Sequence, residues 1–132
     1  MWTRRPGLPV TYVFGSEAQY YGQDPRRGVR MGEGTVQAVV VTRGADGVVI
    51  YRRDSSLSYP AHRASAVDTT GAGDAFAAGF LYQVAVGASV DHAASAGIAW
   101  AAATVQSPAS IPPPWQAVRD DIRDLRPTRL ED

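Results

Sequence analysis

The run Ala38-Val39-Val40-Val41-Thr42 is continuously apolar and β-branched, and Val48-Val49-Ile50-Tyr51 repeats that character after Arg43-Gly44-Ala45-Asp46-Gly47. Branching at Cβ stiffens the side chain and favours extended backbone. Neither run alternates apolar with polar residues, so neither suits a sheet with one wet face; both suit strands buried on both sides. The first expectation is two strands around a tight turn, in a sheet covered by helices, with Asp46-Gly47 as a common hairpin signal.

The rest of the chain supplies the covering. Leu8 to Phe14 is β-prone, and Gly15-Ser16-Glu17 can close that strand and start a helix. Tyr20 to Gln37 carries glycines at 22, 28, 32 and 34 with Pro25, which predicts a poor helix or an irregular, mobile surface loop. Arg52 to Pro60 reads as a polar turn, and Tyr59 to Val67 as a partly extended connection. Asp74–Val86 is apolar on most faces, hence a buried helix ended by Gly87. A second helix begins at Ser89 or Val90 and is rich in alanine, which permits close packing. Pro108 and Pro112–Pro114 break the chain. A last helix from near Pro114 places Trp115, Val118, Ile122 and Leu125 on one face and stops before Pro127, leaving the final five residues frayed. Strands followed by packed helices, with no repeat or linker, give one α/β domain.

Composition narrows the chemistry. The 132 residues can bury a real core. Thirteen basic residues balance thirteen acidic ones, so no net field draws the chain to nucleic acid or to an anionic membrane. There is no cysteine, which removes disulfides and thiolate chemistry and suits a reducing compartment. All the basic residues are arginine, so a phosphate-loop lysine and a Schiff-base lysine are excluded. No export signal follows Met1–Arg5, and the apolar stretches fall short of the roughly 20 residues a membrane span needs, so the chain is expected in the cytoplasm.

The chemistry concentrates in Val67-Asp68-Thr69-Thr70-Gly71-Ala72-Gly73-Asp74-Ala75-Phe76-Ala77-Ala78-Gly79-Phe80. A glycine-rich turn opens a helix there and holds an aspartate beside it. Unpaired N–H groups at a helix start carry the positive end of the dipole and favour phosphate, and glycines admit it closely. Asp74 would repel that phosphate unless it had other work, such as taking a proton from a substrate hydroxyl during phosphoryl transfer. The chemistry suggested is phosphorylation of an alcohol by ATP.

This run resembles the second signature of the ribokinase-like (PfkB) carbohydrate kinases. The resemblance implies that Asp74 is the catalytic base and that Gly71, Ala72 and Gly73 form an anion hole for the migrating phosphoryl group. It implies a ribokinase-like α/β fold, of which residues 1–132 are a single C-terminal, nucleotide-side portion, with the N-terminal strands, the sugar-binding Gly-Gly signature and the lid missing. Thr42-Arg43-Gly44-Ala45-Asp46-Gly47 resembles the segment lining the family's nucleotide site, where Thr42 offers a hydroxyl and Gly44, Asp46 and Gly47 bring backbone close. Arg43 either reaches a phosphate or is solvated.

The same resemblance gives Asp68 and Thr70 a monovalent cation, potassium being the candidate, with Ala101, Thr104, Gln106 and Ser110 near the second half of that site. Asp68 reads equally as a turn residue. The family's Asn-x-x-Glu motif, which organises magnesium, falls on Ser16-Glu17-Ala18-Gln19 with both motif positions altered. Glu17 could hold a magnesium-bound water in a shifted register. Ser95 stands near the family's adenine contact or simply packs in an alanine-rich helix. His62 and His92 read as surface or capping residues.

Three functions compete. The first is an ATP-dependent carbohydrate kinase using magnesium. The second is a nucleotide-binding remnant without catalysis, for which a second copy of the chain or a separate N-terminal portion is the candidate partner. The third is a dinucleotide-binding unit starting at Gly71-Ala72-Gly73. Phe76 occupies the third glycine position of that fingerprint and would block its close packing.

Overall fold

A computed structural model describes residues 12–30, 36–61, 71–108, 111–120 and 122–130. Five strands, β1 (Tyr12–Ser16), β2 (Ala38–Thr42), β3 (Val48–Arg52), β4 (Ser56–Tyr59) and β5 (Thr128–Leu130), form one sheet in the order β1-β2-β3-β4-β5. β1 and β2 are parallel and the other neighbours antiparallel. The helices are α1 (Arg26–Arg30), α2 (Ala72–Ala85), α3 (Val90–Val105) and α4 (Trp115–Arg119). None of the described helices is long and apolar enough to cross a membrane.

The non-alternating runs are buried on both faces, as their composition requires. In β2, Ala38 and Val40 join Val48, Ile50, Tyr59, Phe76 and Phe80 in the core beneath α2 and α3. Val39 and Val41 face the other way and pack with Val29 of α1, flanked by Val13, Tyr20 and Tyr51. Each such valine contributes roughly 1.5–3 kcal/mol by leaving water, so a register slip by one residue would exchange two filled faces.

The helix hairpin follows its local signals closely. Gly87 takes a left-handed φ of 88° and closes α2: its N–H donates to Val84 O at 3.1 Å, and the Ala88 N–H to Gln83 O at 2.9 Å. Ser89 then caps α3, its hydroxyl accepting from the His92 N–H at 3.1 Å. The two helices approach closely through glycine. A Cβ at Gly79 would come 3.1 Å from the Gly97 Cα, and one at Gly97 would come 2.7 Å from the Phe76 ring.

Tertiary contacts correct three expectations and decide between the alternatives of a fourth. Of the expected poor helix or irregular loop, residues 26–30 form the short helix α1, because Asp24 accepts from the Arg26 N–H at 3.0 Å and Val29 is an apolar anchor on β2. Gly28 permits the approach, since a Cβ there would sit 3.0 Å from Val39 Cγ2. The expected polar turn 52–60 contains β4, which is polar but has a strand on each side. The last helix stops at Arg119, and among the described residues after it none is helical and 128–130 form β5 where fraying was expected. What pulls it straight is α3: the Leu125 N–H donates to Ser95 Oγ at 2.9 Å, and His92 Nδ1 pairs with Asp124 at 2.8 Å.

Tyr59 ties β4 to α3. Its ring is buried, and its hydroxyl donates to the Asp91 carboxylate at the start of α3. Burial first, and then this hydrogen bond, raises the Tyr59 pKa far above its usual 10.0. The native state therefore keeps the proton while an unfolded chain loses it, so the stability held below pH 10 declines as pH rises above that value. Denaturant titrations between pH 8 and about 11 are expected to show this fall, and Tyr59→Phe is expected to flatten it at a cost of about 1 kcal/mol at neutral pH.

Candidate active site

The carboxyl ends of β1 and β2 lie side by side, since Ser16 is in register with Thr42. Each strand is followed at once by a tight structure. After β1, Ser16 caps a 3₁₀ turn over Glu17–Tyr20: Ser16 Oγ accepts from the Gln19 N–H at 3.4 Å, and Gln19 Oε1 accepts from the Ser16 N–H at 2.7 Å. After β2, the Arg43 N–H donates to Gly47 O at 2.8 Å and the Asp46 N–H to Arg43 O at 3.0 Å. Gly44 (φ 56°) and Gly47 (φ 93°) supply the left-handed turns.

Two side-chain contacts join these loops. Thr42 Oγ1 donates to Gly15 O at 3.4 Å, and Arg43 Nε donates to Glu17 Oε2 at 2.7 Å. The hydrogen bond to Glu17 raises the Arg43 pKa, so the guanidinium is a permanent charge. The pair has no signature in the sequence, because its members are 26 residues apart and meet only through the parallel pairing of β1 with β2.

An aromatic ladder brings α2 to the same place. Phe80 stacks edge-on to Tyr12 at 5.2 Å and to Phe14 at 5.6 Å, and Phe76 meets Phe14 at 6.3 Å. α2 therefore runs antiparallel to β1, and its first turn stands toward the carboxyl ends of β1 and β2. That is the end of an open α/β sheet at which ligands bind.

The first turn of α2 has no side-chain cap. Gly71 has φ 82° and offers no side-chain cap, and the first bond within the helix runs from the Ala75 N–H to Gly71 O at 2.9 Å. The N–H groups of Ala72, Gly73 and Asp74 precede that bond. Among the described residues, a Cβ at Gly73 would meet nothing within 4 Å, so their packing does not require glycine there. Asp74 is exposed in this turn and makes no hydrogen bond or ion pair among the described residues.

Other sequence candidates have internal partners. Ser95 is fully buried, donating to Asp91 O at 2.9 Å and accepting from the Leu125 N–H, which is a packing role. Thr104 Oγ1 donates to Trp100 O at 2.8 Å and Gln106 Nε2 to Ala102 O at 3.1 Å; both lie at the end of α3 that returns beside the start of α2. Asp68, Thr70, His62 and Ser110 lie outside the described residues. A cleft of about 370 Å³ lies toward the opposite end of β2, lined by Val36, Gln37, Arg52, Arg53, Asp54 and Ser55.

At Ser16–Gln19 most of the polar groups already have partners within the chain. The Ser16 hydroxyl and the Gln19 carbonyl serve the cap, and Glu17 Oε2 accepts from Arg43. Among the described residues, no group of three histidine or acidic side chains could hold a metal ion.

Comparison with known proteins agrees with this fold. The model of the pfkB family of carbohydrate kinases matches residues 17–117. Adenosine kinase of Schizosaccharomyces pombe is 29% identical over 105 residues, covering 65% of this chain and 31% of the relative. The solved nucleoside kinase of Methanocaldococcus jannaschii superposes with a TM-score of 0.74 at 26% identity, over 85% of this chain and 39% of the other. A candidate ribokinase II from E. coli, solved in complex with ATP and Mg2+, gives a TM-score of 0.65 at 25% identity, over 73% and 33%. The chain thus spans about a third of the curated relative's length and about two fifths of the nucleoside kinase.

Proposed function

The chain belongs to the pfkB family of carbohydrate kinases, and from that premise we propose that it is the phosphoryl-transfer side of an ATP-dependent kinase acting on a sugar hydroxyl. The observation that carries the proposal is the first turn of α2, where, among the described residues, no side chain caps the N–H groups and Asp74 has no partner. In this reading the turn Thr42–Gly47, including Arg43, Gly44 and Asp46, borders the nucleotide, and Gly71, Ala72 and Gly73 receive the migrating phosphoryl group.

Asp74 takes the proton of the substrate hydroxyl as its oxygen attacks the γ-phosphorus. The bond to the β–γ bridging oxygen breaks, and ADP leaves with that oxygen. Two of the relatives described above are kinases of adenosine or of nucleosides, the third is a candidate ribokinase, and the family is one of carbohydrate kinases. The substrate class this supports is a small molecule with a sugar hydroxyl. Magnesium enters with ATP as part of the substrate, and Glu17, which meets Arg43 through Oε2, is by resemblance the carboxylate nearest to it. A monovalent cation, with potassium as the candidate, belongs to Asp68 and Thr70 by resemblance, and the cytoplasm is the expected setting.

A second reading is favoured by one observation: the match covers 31% of the curated relative. A chain of this length can bind nucleotide and still need a sugar-binding portion, or a second copy of itself, before it turns over. One experiment separates the readings. The chain is incubated with ATP, magnesium, potassium and a panel of sugars and nucleosides, with ATP binding followed by calorimetry. Sugar-dependent ATP consumption supports the kinase, and ATP binding without consumption supports the nucleotide-binding unit. Absence of ATP binding overturns both.

A further inference from the structure

We infer that Glu17 is a positioning residue that holds the Arg43 guanidinium edge-on to the phosphates of a bound nucleotide, an inference that rests on the nucleotide site proposed above. The Arg43 backbone is pinned by its hydrogen bonds to Gly47 and Asp46, so its Cα cannot wander. Glu17 is equally fixed, as the first residue of a turn closed by the Ser16–Gln19 capping box. Between these anchors the contact uses a single nitrogen, Nε to Oε2 at 2.7 Å. Among the described residues, the two terminal nitrogens of Arg43 have no hydrogen-bond partner.

That arrangement has a specific consequence. A guanidinium is a rigid planar fork, and gripping it at Nε orients the edge carrying the terminal nitrogens. Two parallel N–H donors on one edge match two oxygens of a phosphate. Arg43 is attached at the carboxyl end of β2, where α2 also directs its free N–H groups, and about a third of its side chain is still exposed, at 35%. The ligand class is therefore a polyphosphate, with part of its charge met by α2 and part by Arg43. The chain has no lysine, and Arg43 is a cation that the loop after β2 presents at this end of the sheet.

The alternative role for Glu17 is storage, in which the carboxylate competes with phosphate for the guanidinium. The two roles predict opposite signs. If Glu17 positions Arg43, Glu17→Ala frees the side chain to rotate and weakens ATP binding about three- to tenfold. Glu17→Gln keeps an oxygen that can accept from Nε, and it restores binding to within about twofold of the unmodified chain. If Glu17 competes, both variants bind more tightly.

The test is calorimetric titration of the full chain with magnesium ATP, alongside Glu17→Ala, Glu17→Gln, Arg43→Ala and Arg43→Lys. The expected result is weaker binding by Glu17→Ala, rescue by Glu17→Gln, and a loss of about tenfold or more for Arg43→Ala. Arg43→Lys keeps the charge but has no second nitrogen for Glu17 to grip, so it is expected to bind more weakly than the unmodified chain. Tighter binding by Glu17→Ala, or unchanged binding by Arg43→Lys, overturns the inference. If the unmodified chain binds ATP and Arg43→Ala binds it equally well, the inference falls while the nucleotide site stands. If the unmodified chain does not bind ATP, both fall.

Discussion

Asp74→Asn is expected to lower sugar-dependent ATP consumption by about 10²–10⁴-fold, the range a positioned general base supplies, while leaving ATP bound. The reason lies in what Asp74 does not do. It is exposed, and among the described residues it supports no cap, ion pair or side-chain hydrogen bond. The substitution keeps the shape and removes a charge from the first turn of α2, where an acidic residue contributes only about 0.3–1 kcal/mol to the helix. In the proposed site the carboxylate also stands beside the bound phosphate, so its removal relieves repulsion. We therefore expect nucleotide affinity equal to or tighter than that of the unmodified chain, with a melting temperature within a few degrees of it. Turnover that survives in Asp74→Asn would take the base assignment away.

The largest effect on stability is expected from Gly47→Ala, at about 3 kcal/mol or more. Two costs combine there. At φ 93° the backbone is in a region that side chains rarely adopt, and the added Cβ would lie 1.9 Å from Tyr59 O and 2.9 Å from Ala61 N. These neighbours are backbone atoms at the end of β4, so no rotamer change relieves the clash. The turn would have to leave β4, disturbing Tyr59 and its hydrogen bond to Asp91. Denaturant unfolding should show the loss directly. Gly73→Ala is the control, since among the described residues a Cβ at Gly73 meets nothing within 4 Å, and it should unfold at nearly the unmodified midpoint. In contrast, it should weaken ATP binding if phosphate packs against the bare backbone.

The contrast between these glycines separates two kinds of information. Both look alike in the sequence, as members of glycine-rich turns. One is glycine because the fold leaves no room, and the other stands in open space at the candidate site. Periodicity cannot make that distinction, because it depends on what a distant segment places opposite.

The same division runs through the fold. β2 and β3 were legible because an unbroken branched run has few other uses. The join between α2 and α3 was legible because Gly87 and Ser89 act on their own helix ends. By contrast, Ser56-Leu57-Ser58-Tyr59 looks polar and short, and it becomes β4 only because β3 and β5 flank it. The apolar spacing Trp115, Val118, Ile122 and Leu125 suits a longer helix than α4. Ser95, His92 and β4 offer the chain after Arg119 partners that outweigh its local preference.

At the site, the glycine run and Asp74 could be read directly, since a helix start and its first-turn residues lie within a few positions of one another. The Glu17–Arg43 pair could not. Two loops met because β1 and β2 pair in parallel, and α2 came to stand over them because Phe76 and Phe80 stack on Phe14 and Tyr12. Local chemistry thus settled which groups the chain carries and how each turn is closed, since caps, turns and strand runs are decided by near neighbours. Which groups face the same space was settled by strand register and helix packing, whose energies come from residues far apart in the chain.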